Sequence, residues 1–349
     1  MAKAGSIGLG RGLPELGGYA DELLDSNDRK ILWELDRDCR QSYAEIGKKL
    51  GLSKQVVKYR VERLLEGGVL KGFTAIVDFA KLGMGKYYTY WQLQNLTKQK
   101  EADIIRFLAE SPEIGWLARC SGSFEIITSG YFGDAIASEN FLRKLSEKYG
   151  EFIQRRSITR ATKQIYFGRK YFNPAERVAE TVLGGMKEAS PVIDELNKRI
   201  LDALVRNARM PLVNIASEVG SSPNVVAGRM RGMEKARILM RYNALVDVAK
   251  IGYSYYHVIL NLGGYSPKRE AELEEFCRTN PNVLLFTREV GAGDLSLGVE
   301  VPSHEEFYNV MSEVRSRFCD IIRGYEPLLQ GKEYKEFYFS QRAKAPSKR

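Results

Sequence analysis

The sequence predicts an α+β fold class in tandem duplication, each copy a three-helix unit with a trailing strand followed by a small ferredoxin-like βαββαβ domain. Three observations predict it. The chain matches itself at a constant offset of 169 residues, its short helices carry caps, and the segments after them alternate or run apolar as strands do.

Asp25 to Gly83 aligns with Asp194 to Gly252 without a gap, and 19 of the 59 positions are identical, against about three or four expected by chance. Ile31/Ile200, Leu32/Leu201, Leu35/Leu204, Ile46/Ile215, Val57/Val226 and Val77/Val246 are apolar and spaced as one buried face requires. Gly51/Gly220 and Gly83/Gly252 fall at expected turns. Arg40/Arg209, Ser53/Ser222, Arg60/Arg229 and Asp78/Asp247 are polar, and a core alone does not explain them, which makes them candidates for a shared function. Downstream, the same offset pairs Gly122 with Gly291 and Glu125 with Asp294, and a three-residue slip then pairs Phe141 with Phe307. Asn173 to Ser190 carries Pro, a Gly pair and mixed charge and reads as a linker with a short helix, while 1–22 and 340–349 read as disordered tails. The expected divisions are then 23–83, 84–172, 191–252 and 253–339.

With 349 residues and 44% hydrophobic content, the chain has material for several cores. Its 53 Lys+Arg against 44 Asp+Glu leave +9, which favours an anionic partner. Nucleic acid comes ahead of a membrane surface, because no basic amphipathic stretch or lipidation signal appears. Without a long apolar run or a leader-like start, a cytoplasmic chain is expected. Cys39, Cys120, Cys277 and Cys319 are far apart and read as free thiols, so neither a metal nor a cofactor is expected.

In the first copy, Asn27 to Arg37 forms one helix, with Ser26 or Asn27 available as its cap. A second begins at Ser42, where Ser42 and Glu45 make a capping box, and ends at Gly51. A third starts at Ser53 and runs to about Glu66, with Val57, Val61, Leu64 and also Val56 expected inward. After Gly67 and Gly68, VLKGFTAIVD alternates like a strand or wing. Two short helices across a tight turn make a helix-turn-helix, whose second helix suits a DNA major groove. A groove-reading helix needs an apolar back, cations for phosphates, and amide or guanidinium groups for base edges. Gln55, Lys58 and Tyr59 suit bases; Lys54, Arg60 and Arg63 suit phosphates, with Ser53 as cap. The plain alternative is a solvated face on a three-helix bundle.

The second copy keeps the scaffold and loses much of this face. Lys58, Tyr59 and Arg63 become Ala227, Gly228 and Gly232. Two glycines inside a helix cost roughly 1 kcal/mol each relative to alanine, and Ser222 as cap with Pro223 at the first position offsets part of that. Ser222, Asn224, Arg229 and Arg231 remain as its DNA-facing candidates.

The rest of each copy reads as βαββαβ. Strands fall at Tyr87 to Leu96, Ile114 to Cys120, Phe124 to Phe132 and from Ile153, with helices at Glu101 to Glu110 and Asp134 to Tyr149. The second copy repeats the order through a last strand at Ile321 to Leu329. Two helices cover one sheet face, so the other calls for a partner sheet, which Tyr88, Tyr90, Tyr255 and His257 are placed to line.

These motifs resemble the Lrp/AsnC (leucine-responsive, feast/famine) regulators in two tandem copies. The resemblance rests on D-x-x-D-R-K-I-L at Asp25, S-x-x-x-V-x-x-R-V-x-R-L from Ser53, G-V-L at Gly68, K-L-G at Lys81 and the G-S-F-E hairpin at Gly122. It implies a sequence-specific, double-stranded-DNA-binding transcription regulator with RAM-type sheet domains. It also implies an amino-acid effector near the hairpins, at Gly122, Ser123 and Glu125 and at Gly291, Ala292 and Asp294. A tight turn that needs glycine is the plain alternative there. Family members pair through their sheet domains, so a homo-oligomer or an internal pseudo-dimer is expected. Haem-pathway decarboxylases look like this family in fold but use His and Arg on the strand after the helix-turn-helix. Here those strands read FTAIVDFAKLG and YNALVDVAKIG, and neither His257 nor His304 has a matched partner, so no enzyme is expected. A rival reading makes the chain an effector-binding or assembly module whose second helix-turn-helix does not bind DNA.

Overall fold

The computed structural model describes residues 24–174, 176, 180–184, 193–264 and 266–336. The two expected tails, 1–22 and 340–349, lie outside these residues. The first helical module is α1 (Ser26–Arg37), α2 (Tyr43–Leu50) and α3 (Lys54–Glu66), followed by β1 (Leu70–Val77). Its counterpart is α6 (Glu195–Arg206), α7 (Leu212–Val219) and α8 (Pro223–Lys235), followed by β7 (Leu239–Val246). The cap of α1 is Asp25 rather than Ser26 or Asn27. Its carboxylate accepts from Asp28 N at 2.9 Å, and Asp28 reaches back to Asp25 N, a reciprocal box that a carboxylate at the positive helix end favours.

The strand after each helix-turn-helix does not stay with its own module. β1 and β7 form an antiparallel ribbon in which Thr74 faces Asn243. These are the same position in the two copies, so a pseudo-two-fold axis passes through that pair. β7 supplies Ala244 and Val246 to the core around α1 to α3, and β1 supplies Ala75 and Val77 to the core around α6 to α8. Each helical module is therefore completed by the other copy's strand.

The sheet units comprise β2 (Gly85–Leu93), α4 (Lys98–Glu110), β3 (Ile114–Ser121), β4 (Ile126–Phe132), α5 (Ala135–Tyr149) and β5 (Ile153–Tyr166), then β8 (Ser254–Leu262), α9 (Pro267–Thr279), β9 (Val283–Gly291), β10 (Leu295–Val301), α10 (His304–Arg317) and β11 (Ile322–Glu336). Within each unit the order is fourth strand, first, third, second, the ferredoxin-like arrangement. β11 runs past its expected end at Leu329, β5 continues from Ile153 to Tyr166, and the far length of each pairs across the molecule. β5 joins β9 (Thr159 opposite Gly291) and β11 joins β3 (Leu329 opposite Ser121). The eight strands thereby close into one barrel, β2-β4-β3-β11-β8-β10-β9-β5 and back to β2. Closure removes edges that would otherwise stay unpaired.

The two copies are thus an internal pseudo-dimer. The partner sheet demanded by Tyr88, Tyr90, Tyr255 and His257 is the other copy's. Tyr88 and Tyr90 pack inside the barrel with Ala118, Ile259 and Leu328, and Tyr90 Oη lies 2.9 Å from His257 Nε2. Within 173–190, expected to be a linker with a short helix, Thr181–Gly184 instead forms a strand, β6, on the outer part of β5. β6 extends the sheet where β5 has left its own unit. Among the described residues no helix is long and apolar enough to cross a membrane.

Candidate nucleic-acid interface

In the first module Gly51 ends α2 in the left-handed region (φ +67°), and Ser53 caps α3 by accepting from Val56 N at 3.2 Å. Val57, Val61 and Leu64 anchor α3, while Val56 is exposed. Lys54, Gln55, Lys58, Tyr59 and Arg63 all lie on the exposed side.

The charges on that face are not equally available. Arg60 Nη1 meets Asp25 at 2.6 Å and Asp28 at 2.9 Å, and Arg63 also binds the fully buried Asp28. Asp25 is held below its ordinary carboxylate range because its bonds to Arg60 and to backbone amides outweigh burial. The expected phosphate clamp at Arg60 is thereby corrected to a strut tying α3 to the cap of α1. Lys58 has only an exposed pair with Glu62 at 3.6 Å, an interaction worth little. Lys54, Gln55 and Tyr59, the last 65% exposed, have no partner among the described residues.

The second module repeats the strut, with Arg229 on Asp194 at 2.5 Å. Asp194 is also held low, first by its bond to the Asn197 backbone amide. Ser222 caps α8 at Val225 N, and Asn224, Gly228 and Arg231 are exposed beside the bare side chains of Val213 and Val225. Arg237 was not among the expected site residues. It is exposed at φ +54°, in the left-handed conformation that Gly68 takes in the first copy. Its alignment with a turn glycine was the available signal.

Four polar identities of the repeat, those at Arg40, Ser53, Arg60 and Asp78, are architectural. Ser53/Ser222 are helix caps, Arg60/Arg229 are struts, and Asp78/Asp247 cap the single 3-10 turns at Phe79–Leu82 and Val248–Ile251. Arg40 donates to the carbonyls of Ala208 (2.5 Å) and Met210 (3.4 Å), and Arg209 donates to those of Cys39 and Gln41 (3.1 Å). This reciprocal clasp holds the two helical modules together across the pseudo-axis.

The hairpins are architectural in the same way. Glu125 accepts from Leu93 N at 2.8 Å and Asp294 from Leu262 N at 2.7 Å, so each carboxylate pins the end of a neighbouring strand. Gly122 and Gly291 sit where the other copy's fourth strand crosses. A Cβ on Gly291 would lie 2.2 Å from Ile158 O, and one on Gly122 2.9 Å from Pro327 O. Ala292 N donates to Thr159 Oγ1 at 3.0 Å, and Ser123 Oγ is buried without a partner. The hairpins do lie at contacts between the sheet units, but their carboxylates are occupied.

Residues 24–71 match the family described as winged helix-turn-helix DNA-binding, and residues 193–234 match the AsnC-type helix-turn-helix domain. The HTH-type transcriptional regulator Rv2324 of Mycobacterium tuberculosis is 53% identical over 60 residues, which is 17% of this chain and 40% of that protein. An uncharacterized HTH-type transcriptional regulator of Pyrococcus abyssi is 31% identical over 136 residues, 38% of this chain and 86% of that protein. The HTH-type transcriptional regulator Ptr1 of Methanocaldococcus jannaschii is 31% identical over 126 residues, 34% of this chain and 80% of that protein. The siroheme decarboxylase NirDL shares the fold over 90% of this chain and 94% of its own, with a TM-score of 0.59 at 13% identity. That likeness shows the tandem architecture alone, and the curated relatives named here are regulators, not enzymes. The chain therefore belongs to the HTH-type transcriptional regulators, with a winged and an AsnC-type helix-turn-helix in one polypeptide, an architecture related to that of the Lrp/AsnC regulators.

Proposed function

We propose that the chain is a sequence-specific regulator of double-stranded DNA in which the first helix-turn-helix reads bases and the second clamps the backbone. The observation that carries this reading is the contrast between α3 and α8. Lys54, Gln55 and Tyr59 stand exposed and unpaired on α3, whereas α8 offers Asn224, Gly228 and Arg231 beside exposed valines. Gln55, Lys58 and Tyr59 serve base edges, Lys54 serves phosphates, and Arg231 with Arg237 serves the weaker half. A two-fold pair of modules calls for two half-sites about 34 Å apart on one duplex face.

The test is duplex binding across a sequence library at several salt concentrations. Six to ten phosphate contacts lower affinity by roughly three to five decades between 50 and 200 mM salt. Gln55→Ala should flatten sequence preference, and Lys54→Ala should weaken every duplex alike and reduce the salt slope by about one. Unchanged binding in both variants refutes the assignment of α3, and a footprint confined to one half-site refutes the clamp role of the second module. The regulator reading also carries a small-molecule effector, for which the family resemblance suggests an amino acid. Duplex affinity with and without free amino acids tests it.

A further inference from the structure

Beneath the β1–β7 ribbon, at one mouth of the barrel, lies a chamber of about 530 Å³ lined from both copies, inside the usual size range of small-molecule sites. Its walls combine aromatic and aliphatic side chains, among them Tyr88, Tyr255, Trp116, Leu245 and Leu285, with polar and charged ones. Two polar groups there stand out, an amide oxygen without a donor and an ammonium that meets only neutral partners among the described residues. Asn243, 5% exposed, has its Oδ1 buried with no hydrogen-bond partner. The equivalent Thr74 satisfies its hydroxyl on Val205 O at 2.8 Å, so the fold itself does not require an unmet acceptor at this position. An amide oxygen withdrawn from water without a donor costs about 1–3 kcal/mol.

The second group is Lys86. Its ammonium lies 3.0 Å from Gln164 Oε1 and 4.9 Å from the Tyr88 ring centre, and it forms no ion pair among the described residues. Of the chamber's other cations, Lys71 is held by Glu333 and Glu336 and Arg169 by Asp36 and Glu300, while Lys332 is exposed with its ammonium 5.2 Å from the Tyr334 ring centre. Burial opposes the Lys86 charge, but the Tyr131 and Tyr88 hydroxyls and Glu289 outweigh it and raise the pKa, so the ammonium stays charged. The position equivalent to Lys86 is Tyr255, which lines the same chamber. This cavity therefore departs from the molecule's two-fold symmetry in its chemistry.

We propose that this chamber binds a small organic carboxylate with a flat apolar body, the carboxylate on Lys86, the body among Tyr88, Tyr255 and Trp116, and a hydrogen-bond donor on Asn243. Binding itself does not depend on the DNA reading. That such a molecule acts as the effector rests on that reading, and is mechanically direct because the chamber's roof is the ribbon that completes both helical modules.

The experiment titrates the full chain with pyrene-1-butyrate and with its uncharged analogue 1-pyrenebutanol, following energy transfer from tryptophan. We expect saturable binding of one pyrene-1-butyrate per chain, at least tenfold tighter than the alcohol. Lys86→Met should remove that preference, Lys86→Arg should keep it, and Trp116→Phe should reduce the transfer signal. Circular dichroism of each variant reports folding, and Asn243→Val provides an independent wall change that should alter affinity if Lys86→Met fails to fold. Equal affinity for acid and alcohol, or a preference that survives Lys86→Met, overturns the proposal. A chain that binds the acid as expected but no duplex leaves the chamber standing and refutes the regulator reading instead.

Discussion

Arg169 stands just beyond β5, and its replacement by methionine should unfasten the first helical module from the barrel. Its guanidinium reaches Asp36 of α1 at 3.0 Å and grips Glu300 of β10 through Nε and Nη2, both at 3.1 Å. Asp36 is fully buried and Glu300 is 2% exposed. The hydroxyls of Tyr166 and Tyr171 complete the cluster at 2.8 Å on Asp36 and 2.6 Å on Glu300, and Arg241 of β7 donates to Asp36 O at 3.1 Å. With an effective dielectric of about 20, unit charges 3.1 Å apart attract by ~5 kcal/mol. Removing one partner of a buried pair costs about 3–5 kcal/mol, because the other charge is left without compensation. Arg169→Met should therefore destabilise the chain by about 4 kcal/mol. The assay is urea unfolding followed by tryptophan fluorescence, since Trp33 lies buried on α1 within a turn of Asp36. Adding Glu300→Gln removes one stranded charge and should return about 1–2 kcal/mol, a coupling that a double-mutant cycle isolates. A loss below about 1 kcal/mol, the scale of an exposed pair, or no recovery on adding Glu300→Gln, would refute the reasoning.

Three further outcomes are expected. Burial, reinforced by Lys86, depresses His257 to about 3, and burial raises Glu289 to about 7 against Ser296 and Lys86. The histidine's contribution is lost as pH falls below its unfolded value, while that of Glu289 is present at low pH and lost as pH rises through about 7. The two oppose each other between about pH 4.5 and 6.5. His257→Gln should unmask a stability that rises on acidification by up to ~1.4 kcal/mol per pH unit, and a profile matching the parent over that interval in urea titrations would count against it. Gly291→Ala forces a Cβ to within 2.2 Å of Ile158 O at φ +143°, so it should open the β5–β9 seam; hydrogen exchange that leaves both strands as protected as before would contradict this. Arg60→Ala should act through folding, costing about 1–3 kcal/mol by leaving the buried Asp28 to Arg63 alone, and undiminished stability in calorimetry alongside weakened DNA binding would restore Arg60 to the phosphate contacts.

Much of the local structure was legible in the residues. The Ser42–Glu45 box, the Ser53 and Ser222 caps and the left-handed Gly51 and Gly220 are local devices whose partners lie within a few positions. They look the same in a short peptide as in the folded chain. The partners of Arg60, expected on phosphate, and of Arg40 and Arg209, expected to share a function, were not legible for the opposite reason. A surface arginine is available to phosphate until a carboxylate or carbonyl from another element claims it, and Arg40 finds its acceptors at Ala208 and Met210, far along the chain. The linker at 173–190 failed likewise, because β6 exists only through pairing with β5.

What the sequence determined by itself is the duplication, the α+β class, the helix-turn-helix units and the unequal faces of α3 and α8, since periodicity, caps and side-chain charge are written position by position. Tertiary structure alone decided that β1 and β7 exchange modules, that β5 and β11 close one barrel, and which cations remain unspent. Those outcomes depend on which edges and buried charges meet across the pseudo-axis, and a linear pattern specifies what each edge and charge needs but not which partner satisfies it.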